Sequence, residues 1–326
     1  MPLLDARDPA ALDDAARRLA AGELVAFPTE TVYGLGARAD DDAAVTKIFA
    51  AKGRPADHPL IVHVADAAAA ARFAARLDDL ARRLIDAFWP GPLTLVVPRA
   101  EGVANAAAGG HATIGLRCPA HPVAAELLRR ADVLGVPGVA APSANRFGRL
   151  SPTTAAHVAA EFGDALAVLD GGACPVGIES AIVDLSRGAP VLLRPGVLTR
   201  ERLEAAAGQP LAARDAAAPR APGTLAAHYA PGVPLRLMDA AALQRSLRAR
   251  ADDARPPRVA VYSRTPVAGG AVVRRMPDEP VAAAHELFAV LRELDAAGVD
   301  QIWVETPPAD AAWDGVRDRL ERAAAV

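Results

Sequence analysis

Hydroxyl residues, cations and glycines gather beside predicted strands in several short segments of this sequence. In FPTETVYGLGA, Thr29, Thr31 and Tyr33 directly follow a predicted strand, and Gly34 permits a tight turn. Hydroxyl groups at a strand end suit a small polar ligand, although an ordinary polar turn has the same composition. A binding role for this segment therefore depends on what the other segments bring to it.

A second segment, AAKGRPADHP, sets two cations around a glycine at a predicted helix end. Of the 36 Lys and Arg residues only Lys47 and Lys52 are lysines, which suggests that Lys52 supplies a compact ammonium. With Arg54 it can converge on a polyphosphate, while a solvated helix C-terminus remains the open alternative. His58 and His63 lie five residues apart, but no Cys or carboxylate completes a zinc ligand set, so no metal site is expected.

Further segments downstream place polar side chains in the same way. TIGLRCPAHP puts an arginine at a strand end, where it can clamp a carboxylate or form a surface ion pair. PGVAAPSANRFGRLSPT is a loop of small and hydroxyl residues whose backbone amides can approach phosphate or adenine. Because open α/β sheets bind ligands at strand ends, the segments together predict one binding site. The side chains concerned are Thr113, Arg117, Ser143, Asn145, Ser151, Glu179, Ser180 and Arg194.

Alternating strand and helix patterns predict an α/β sheet covered on its faces. Ser151 followed by Pro152 predicts the N-cap and first turn of a helix that runs through Phe162. From residue 208 to 234 the chain has five prolines and no apolar period, which is typical of an extended linker. Predicted domains are 1–205, a linker or lid at 206–232, and a small α/β domain at 233–326.

Composition narrows the class of protein. No apolar run approaches the roughly 20 residues of a membrane helix, and the start of the chain is unlike a signal peptide, so a cytoplasmic location is expected. Two cysteines cannot build a disulfide framework. The net charge of −3 gives no global attraction to nucleic acid. Because the P-loop and the dinucleotide fingerprint are both missing, any nucleotide site must be built another way.

The segments taken in order resemble the blocks of the YrdC-like domain. PTETVYGLGA, KGRPADHPLIVH, FWPGPLTLVV, TIGLRCPAHP, APSANRFGRLSPT, DGGACPVGIES and LLRPG carry the resemblance, which covers nearly all of residues 9–203. APGTLAAHYAP is similar to the linker of the longer threonylcarbamoyl-AMP synthases. The resemblance implies a twisted, open mixed sheet with a ligand cavity, followed by a smaller Rossmann-like α/β domain.

The resemblance also implies an ATP-dependent nucleotidyltransferase that joins L-threonine, bicarbonate and ATP into threonylcarbamoyl-AMP and pyrophosphate. ATP would be a substrate that carries Mg²⁺, and a tRNA-modifying transferase complex would use the product; direct tRNA contact stays open. Lys52 and Arg54 would be catalytic. Threonine would be held by Thr31, His63, Arg117, Ala141 and Ser180, and ATP by Lys52, Arg54, His58, Thr113, Ser143, Asn145, Ser151, Arg194 and, as a lid, Tyr229 or neighbouring His228.

Three positions depart from the family pattern. His58 stands where asparagine is frequent, Ala181 replaces a threonine, and the linker lacks basic residues ahead of His228. Two other functions are weighed against the synthase. One is a carbamoyl-adenylate-forming enzyme, which usually has zinc fingers that this chain lacks. The other is a non-catalytic RNA-binding module, which the slight acidic excess of both halves disfavours.

Overall fold

The computed structural model describes residues 3–251 and 256–325, and it divides into two compact units. The first unit comprises residues 1–147 and 151–224, and the second comprises residues 148–150 and 225–326. This division does not decide the domain boundaries predicted from the sequence, which stay predictions. Within the described ranges, the helices lack the length and apolar character that a membrane crossing would need.

The described part of the first unit contains a mixed sheet of eleven strands with the order β1-β8-β2-β3-β7-β4-β6-β5-β9-β10-β11. Both parallel and antiparallel neighbours occur along it, which agrees with the predicted open mixed sheet. The strands are β1 Leu3–Asp5, β2 Val25–Pro28, β3 Tyr33–Arg38, β4 Ile61–His63, β5 Leu93–Pro98, β6 Thr113–Arg117, β7 Val139–Ala140, β8 Ala167–Asp170, β9 Ala181–Asp184, β10 Val191–Arg194 and β11 Ala212–Ala213.

Helices pack on both faces of this sheet. Successive residues of a strand point to opposite faces, so Val25 and Phe27 join the core under α1 and α5, whereas Ala26 joins the core on the other face. The helices are α1 Pro9–Ala20, α2 Asp42–Lys52, α3 Ala67–Ala70, α4 Asp79–Phe88, α5 Pro122–Val133, α6 Ala155–Phe162 and α7 Arg200–Ala207, with a 3₁₀ turn at Gly163–Ala165.

Local capping explains where α2 and α6 begin and end. The Asp41 carboxylate accepts hydrogen bonds from two backbone amides at the start of α2, and Gly53 ends it in the left-handed conformation, φ 65°. The predicted cap of α6 is wrong: Thr154, and not Ser151, caps this helix. Ser151 is instead drawn inward, because its hydroxyl hydrogen-bonds the Glu179 carboxylate and the next carbonyl, that of Pro152, accepts from the Tyr33 amide.

A smaller apolar cluster lies on the strands that carry most of the predicted site. Ile61, Val96 and Ile182 point to one face of β4, β5 and β9, and Ala221 from the chain after β11 packs against the same cluster. Between them runs β6, where Gly115 pairs with Ile61 on one side and Val96 on the other. Gly115 has no side chain, and a Cβ at this position would lie 3.5 Å from both Ile61 Cγ1 and Thr94 Cγ2.

The second unit has a four-stranded, fully parallel sheet in the order β12-β15-β13-β14 among its described residues. A parallel sheet with helical crossovers agrees with the predicted α/β class, while the finer Rossmann-like assignment stays a prediction. Its strands are β12 Leu235–Met238, β13 Val259–Ser263, β14 Val272–Arg275 and β15 Gln301–Glu305; its helices are α8 Ala240–Ala251, α9 Pro280–Asp295 and α10 Asp314–Ala324, with a 3₁₀ turn at Ala311–Trp313.

Candidate functional site

The turn after β2 is held by its own hydroxyl groups. Thr29 Oγ1 lies 2.8 Å from Thr31 Oγ1 and 2.7 Å from the Val32 carbonyl, and the Thr31 side chain is fully buried. The Gly177 amide donates to the Thr31 carbonyl at 3.1 Å and so joins this turn to the loop before β9. The predicted polar turn is therefore buried and hydrogen-bonded to the loop before β9.

Arg117 ends β6 and is buried beside a carboxylate that the sequence analysis left out of the site. Its Nη2 lies 2.7 Å from Glu30 Oε1, and both side chains are less than a tenth exposed. Arg117 Nε donates to the Gly91 carbonyl at 3.3 Å, and the Ala120 amide donates to Glu30 Oε2 at 3.1 Å. In the sequence, the only indication that Glu30 belongs to the site is its position between Thr29 and Thr31. Its contact with Arg117 depends on the fold and could not be predicted from the sequence.

His63 is the direct neighbour of Arg117 in the sheet, since the two residues are paired across β4 and β6. Burial, and then the charge of Arg117, lower the pKa of His63 to about 3, so its imidazole is neutral near pH 7. Its Nδ1 is buried without a hydrogen-bond partner among the described residues. Ala141 follows β7 in the adjoining loop, and its amide donates to the Ile61 carbonyl at 2.9 Å.

Ser180 and Arg194 are in direct contact. Arg194 donates from Nε and Nη2 to the Ser180 carbonyl at 3.1 and 2.9 Å, and from Nη2 to Ser180 Oγ at 3.2 Å. The Ser180 hydroxyl also lies 2.8 Å from Thr94 Oγ1. A residue predicted to bind threonine therefore touches one predicted to bind ATP, and Thr94 is an additional hydroxyl that sequence reasoning missed.

Lys52 ties the end of α2 to the small-residue loop. It is buried, and its Nζ donates to the Ser143 carbonyl at 2.6 Å and to the Asn145 carbonyl in a short hydrogen bond. Burial, and next the charge of Arg54, lower the pKa of Lys52 well below its usual value. An ammonium has three donors, so two of them are committed to the loop carbonyls. This excludes the solvated helix end that the sequence left open.

Four further contacts involve the predicted ATP-binding residues Ser151, Arg54 and His58. The Ser151 hydroxyl forms a short hydrogen bond with Glu179 Oε1, and both residues are buried. Arg54 donates from Nη2 to the Pro59 carbonyl at 3.0 Å and lies over the Phe147 ring at 5.7 Å. The His58 ring meets the same Phe147 ring edge-on at 5.5 Å.

Thr113 and Tyr229 are the remaining residues predicted to bind ATP. Thr113 begins β6 and Arg117 ends it, so the two lie on one face about 13 Å apart at 3.3 Å per residue. Tyr229 belongs to the second unit, where it is buried with φ 60°, packs on Phe288 and lies under the Arg319 guanidinium at 5.5 Å. Its predicted contact with ATP stays a prediction.

Comparison with known proteins identifies the class. A family model described as "Telomere recombination" matches residues 17–196, and a model described as "Threonylcarbamoyl-AMP synthase, C-terminal domain" matches residues 198–325. The chain is thus similar in both parts to two-domain members of an adenylate-forming enzyme class.

Individual relatives agree with the family models. The threonylcarbamoyl-AMP synthase of Pyrococcus abyssi is 38% identical, with 93% of this chain and 90% of the relative covered. The Bacillus subtilis protein of the same name is also 38% identical. The match covers 98% of this chain and 94% of that relative. The crystal structure of P. abyssi Sua5 complexed with L-threonine superposes with a TM-score of 0.89 at 36% identity, covering 97% of this chain and 95% of that chain. The chain belongs to the threonylcarbamoyl-AMP synthase family and is an ATP-using, adenylate-forming enzyme, which confirms the predicted family and activity.

Proposed function

We propose that this chain makes threonylcarbamoyl-AMP by holding L-threonine and ATP side by side on the face of β4, β6, β5 and β9. The observation that carries this arrangement is the contact between Arg194 and Ser180, at 2.9 Å from Nη2 to the Ser180 carbonyl. Ser180 is proposed for threonine and Arg194 for ATP, so the reacting ends of the two substrates would meet there. The carboxyl of threonine and the adenosine of ATP would point away from each other.

Arg117 would anchor threonine through its carboxylate. A buried guanidinium favours a carboxylate partner because the opposite charge offsets its desolvation cost and accepts two parallel hydrogen bonds. Thr31, His63, Ala141 and Ser180 would form the remaining wall, with hydroxyls and a neutral imidazole to meet the amine and hydroxyl of the substrate. The small Ala141 side chain would leave room for the threonine methyl group.

ATP would occupy the adjoining part of the face. Arg54, Lys52 and Arg194 would offset the charge of the triphosphate and of the leaving pyrophosphate, with Mg²⁺ brought by ATP itself. The placement of Thr113 and Arg117 on one face of β6, about 13 Å apart, supports this reading because that span suits an elongated ligand. Further proposed ATP contacts are His58, Ser143, Asn145 and Ser151.

The chemistry has two steps. The threonine amine attacks bicarbonate, and water leaves to give a carbamate. A carbamate oxygen then attacks the α-phosphorus of ATP, and pyrophosphate leaves as the new mixed anhydride forms. Since no covalent enzyme intermediate is needed, positioning and charge neutralisation supply most of the rate enhancement.

The product would serve tRNA modification. A mixed anhydride of a carbamate and AMP is an activated acyl donor, so a second enzyme must accept it before water does. We propose that a tRNA-modifying transferase complex is that acceptor. Direct tRNA binding by this chain is a separate question, which a filter-binding assay with and without the transferase would answer.

The defining experiment is pyrophosphate release from ATP by the full chain. Release should require both L-threonine and bicarbonate, and mass spectrometry should show threonylcarbamoyl-AMP. Release with carbamoyl phosphate in place of threonine and bicarbonate would instead support a carbamoyl-adenylate-forming enzyme. tRNA binding with no ATP cleavage under any substrate combination would contradict the proposed reaction.

A further inference from the structure

Hydrogen-bonding capacity around Arg117 is incomplete in a way that matches an amino acid. Glu30 Oε1 and Arg117 Nη2 lie 2.7 Å apart as an ion pair, yet each is buried without an aligned hydrogen-bond partner among the described residues. The nearby His63 Nδ1 is also buried without a hydrogen-bond partner among the described residues. Buried polar atoms are rarely left unsatisfied unless a ligand or water completes them.

The other atoms of this ion pair are fixed. Glu30 Oε2 accepts from the Ala120 amide, and Arg117 Nε donates to the Gly91 carbonyl. Each side chain is thus held in place by one atom. Glu30 Oε1 can still accept a hydrogen bond, and Arg117 Nη2 can still donate one. An α-amino acid has the complementary set, because its carboxylate accepts from a guanidinium and its ammonium donates to a carboxylate.

From this geometry we infer that Glu30 is a further catalytic residue, whose Oε1 accepts a hydrogen bond and then a proton from the α-ammonium group of threonine. The inference deepens the proposed function, on which it rests. Proton transfer converts threonine ammonium and Glu30 carboxylate into free amine and Glu30 carboxylic acid. The amine then attacks bicarbonate, forming the C–N bond as water leaves, so that atoms and charges balance. Glu30 afterwards returns its proton to solvent.

Threonine binding would rearrange the partners of Glu30. Before binding, the Arg117 guanidinium is the counter-ion of Glu30. The substrate carboxylate would then pair with that guanidinium, and Glu30 Oε1 would accept from the substrate ammonium group instead.

Burial shifts the pKa values of several other titratable groups near Glu30. Burial lowers the pKa of His63 to about 3, and burial also lowers the pKa of His121. Burial raises the pKa of Cys118 to about 11 and that of Cys174 further, so both thiols stay protonated. Arg117 is the charged side chain that the structure pairs with Glu30.

The decisive variant is Glu30→Gln in the full chain, assayed with saturating ATP and bicarbonate. The amide has the size of the carboxylate and can keep the Ala120 contact, but it cannot take a proton. At pH 7 kcat for pyrophosphate release should fall by about 100- to 1,000-fold, the usual range for a lost general base. The loss should shrink as pH rises to 10, because free threonine then supplies unprotonated amine.

A binding measurement separates amine recognition from a structural role. Wild-type protein should bind L-threonine at least tenfold more tightly than 3-hydroxybutyrate, which keeps the carboxylate and hydroxyl but lacks the amino group. Glu30→Gln should lose most of that preference. The matched control is Glu126→Gln, whose carboxylate pairs with arginines on the exposed side of α5 and should leave rates and preference unchanged.

The outcomes are distinct. Wild-type kcat and an unchanged preference in Glu30→Gln would overturn the inference, as would a higher KM with an unaltered pH profile, which is what simple positioning of Arg117 produces. Should Glu30→Gln not fold, Glu30→Asp keeps the carboxylate and must show partial activity with a normal pH profile. A wild-type protein without threonine-dependent pyrophosphate release would refute the proposed function itself rather than the role of Glu30.

Discussion

Both units bury a carboxylate near the end of a strand, but the two carboxylates differ in how well they are satisfied. In the second unit Glu305 ends β15 and accepts from Ser263 Oγ at 2.6 Å, from the Thr265 amide at 2.7 Å and from Arg264 Nη2 at 3.2 Å. In the first unit Glu30 Oε1 has an ion-pair neighbour but no aligned donor. Position at a strand end is shared, so position alone does not mark a ligand site.

The difference lies in the remaining capacity of the side chains. Around Glu305 the surrounding groups use nearly all of the hydrogen-bonding capacity of the carboxylate. Arg264 Nε has no hydrogen-bond partner among the described residues, and the Arg264 guanidinium lies over the Trp313 ring at 5.7 Å. Around Glu30, the ion-paired Oε1 and Arg117 Nη2 have no aligned hydrogen bond, and His63 Nδ1 has no hydrogen-bond partner among the described residues. A satisfied buried carboxylate stabilises a fold, whereas an unsatisfied one beside an arginine is prepared for a charged ligand.

The largest expected effect comes from Arg117→Ala. This variant removes the proposed anchor of the threonine carboxylate and leaves Glu30 buried without its counter-ion. Threonine-dependent kcat/KM should fall at least about 1,000-fold, equivalent to about 4 kcal/mol. Urea unfolding should show a loss of about 3–5 kcal/mol, the usual cost of breaking a buried ion pair from one side.

A double variant separates these two losses. Adding Glu30→Gln to Arg117→Ala removes the unpaired charge, so much of the free energy of unfolding should return while activity stays low. If activity returned together with stability, Arg117 would be a structural residue and the contrast with Glu305 would disappear.

The next effect concerns the two lysines of the chain. Lys52→Ala removes the ammonium that holds the Ser143 and Asn145 carbonyls, and kcat for pyrophosphate release should fall about 100-fold, as for lost electrostatic stabilisation elsewhere. Threonine affinity should change by less than about threefold, because Arg117 is untouched. The assay pairs steady-state kinetics with calorimetric threonine binding.

Lys47→Ala is the matched control for this prediction. Lys47 lies on the same helix, but its Nζ donates to the Gly22 carbonyl at 2.7 Å, outside the loop that Lys52 holds. Turnover should stay within about twofold of wild type, since only one net hydrogen bond worth about 1 kcal/mol is lost. Equal turnover in both lysine variants would remove Lys52 from the mechanism.

The sequence predicted the strand ends, and it grouped some residues that touch in the structure, such as Ser180 and Arg194, but it could not predict hydrogen-bond partners. Gly53 after Lys52 signalled the end of α2, because a left-handed cap favours glycine. The pairing of His63 with Arg117 depends on strand register, which joins residues more than fifty positions apart. Local rules identify the groups, and only the sheet decides which of them meet.

Ser151 shows how a local rule can fail. Serine before proline is a favourable helix start, but a buried Glu179 carboxylate needs a donor, and the Ser151 hydroxyl supplies it. The helix therefore begins at Ala155, with Thr154 as its cap. Glu30 was missed for the related reason that its partner, Arg117, is distant in sequence.

A moderate effect is expected for Glu305→Gln, which tests the satisfied member of the comparison. Burial tends to raise the pKa of Glu305, but hydrogen bonds from Ser263 and Thr265 outweigh it, and the pKa is lowered overall. Urea unfolding at pH 7 should show a loss of about 1–3 kcal/mol, as for a buried group deprived of charge-assisted hydrogen bonds. A carboxylate with a lowered pKa stabilises above its unfolded value, so the difference from wild type should shrink as pH falls below about 4.5. An unchanged difference from pH 7 to pH 3 would contradict this assignment.

The smallest effect is a pH dependence specific to the first unit. His63 has a pKa of about 3 in the folded chain and about 6.5 when unfolded, so between these values the unfolded chain binds the additional proton. The free energy of unfolding should therefore fall, as pH drops below 6.5, by up to about 1.4 kcal/mol per pH unit from this residue. His63→Gln removes the contribution, so its stability relative to wild type should improve between pH 7 and pH 5, as measured by urea unfolding. The other histidines are present in both proteins and cancel in the difference. An equal stability difference at pH 7 and pH 5 would show that His63 is not held neutral.

The two units should therefore respond differently to mild acid. Because the Glu305 contribution to stability persists to about pH 4.5, mild acid should weaken the first unit before the second.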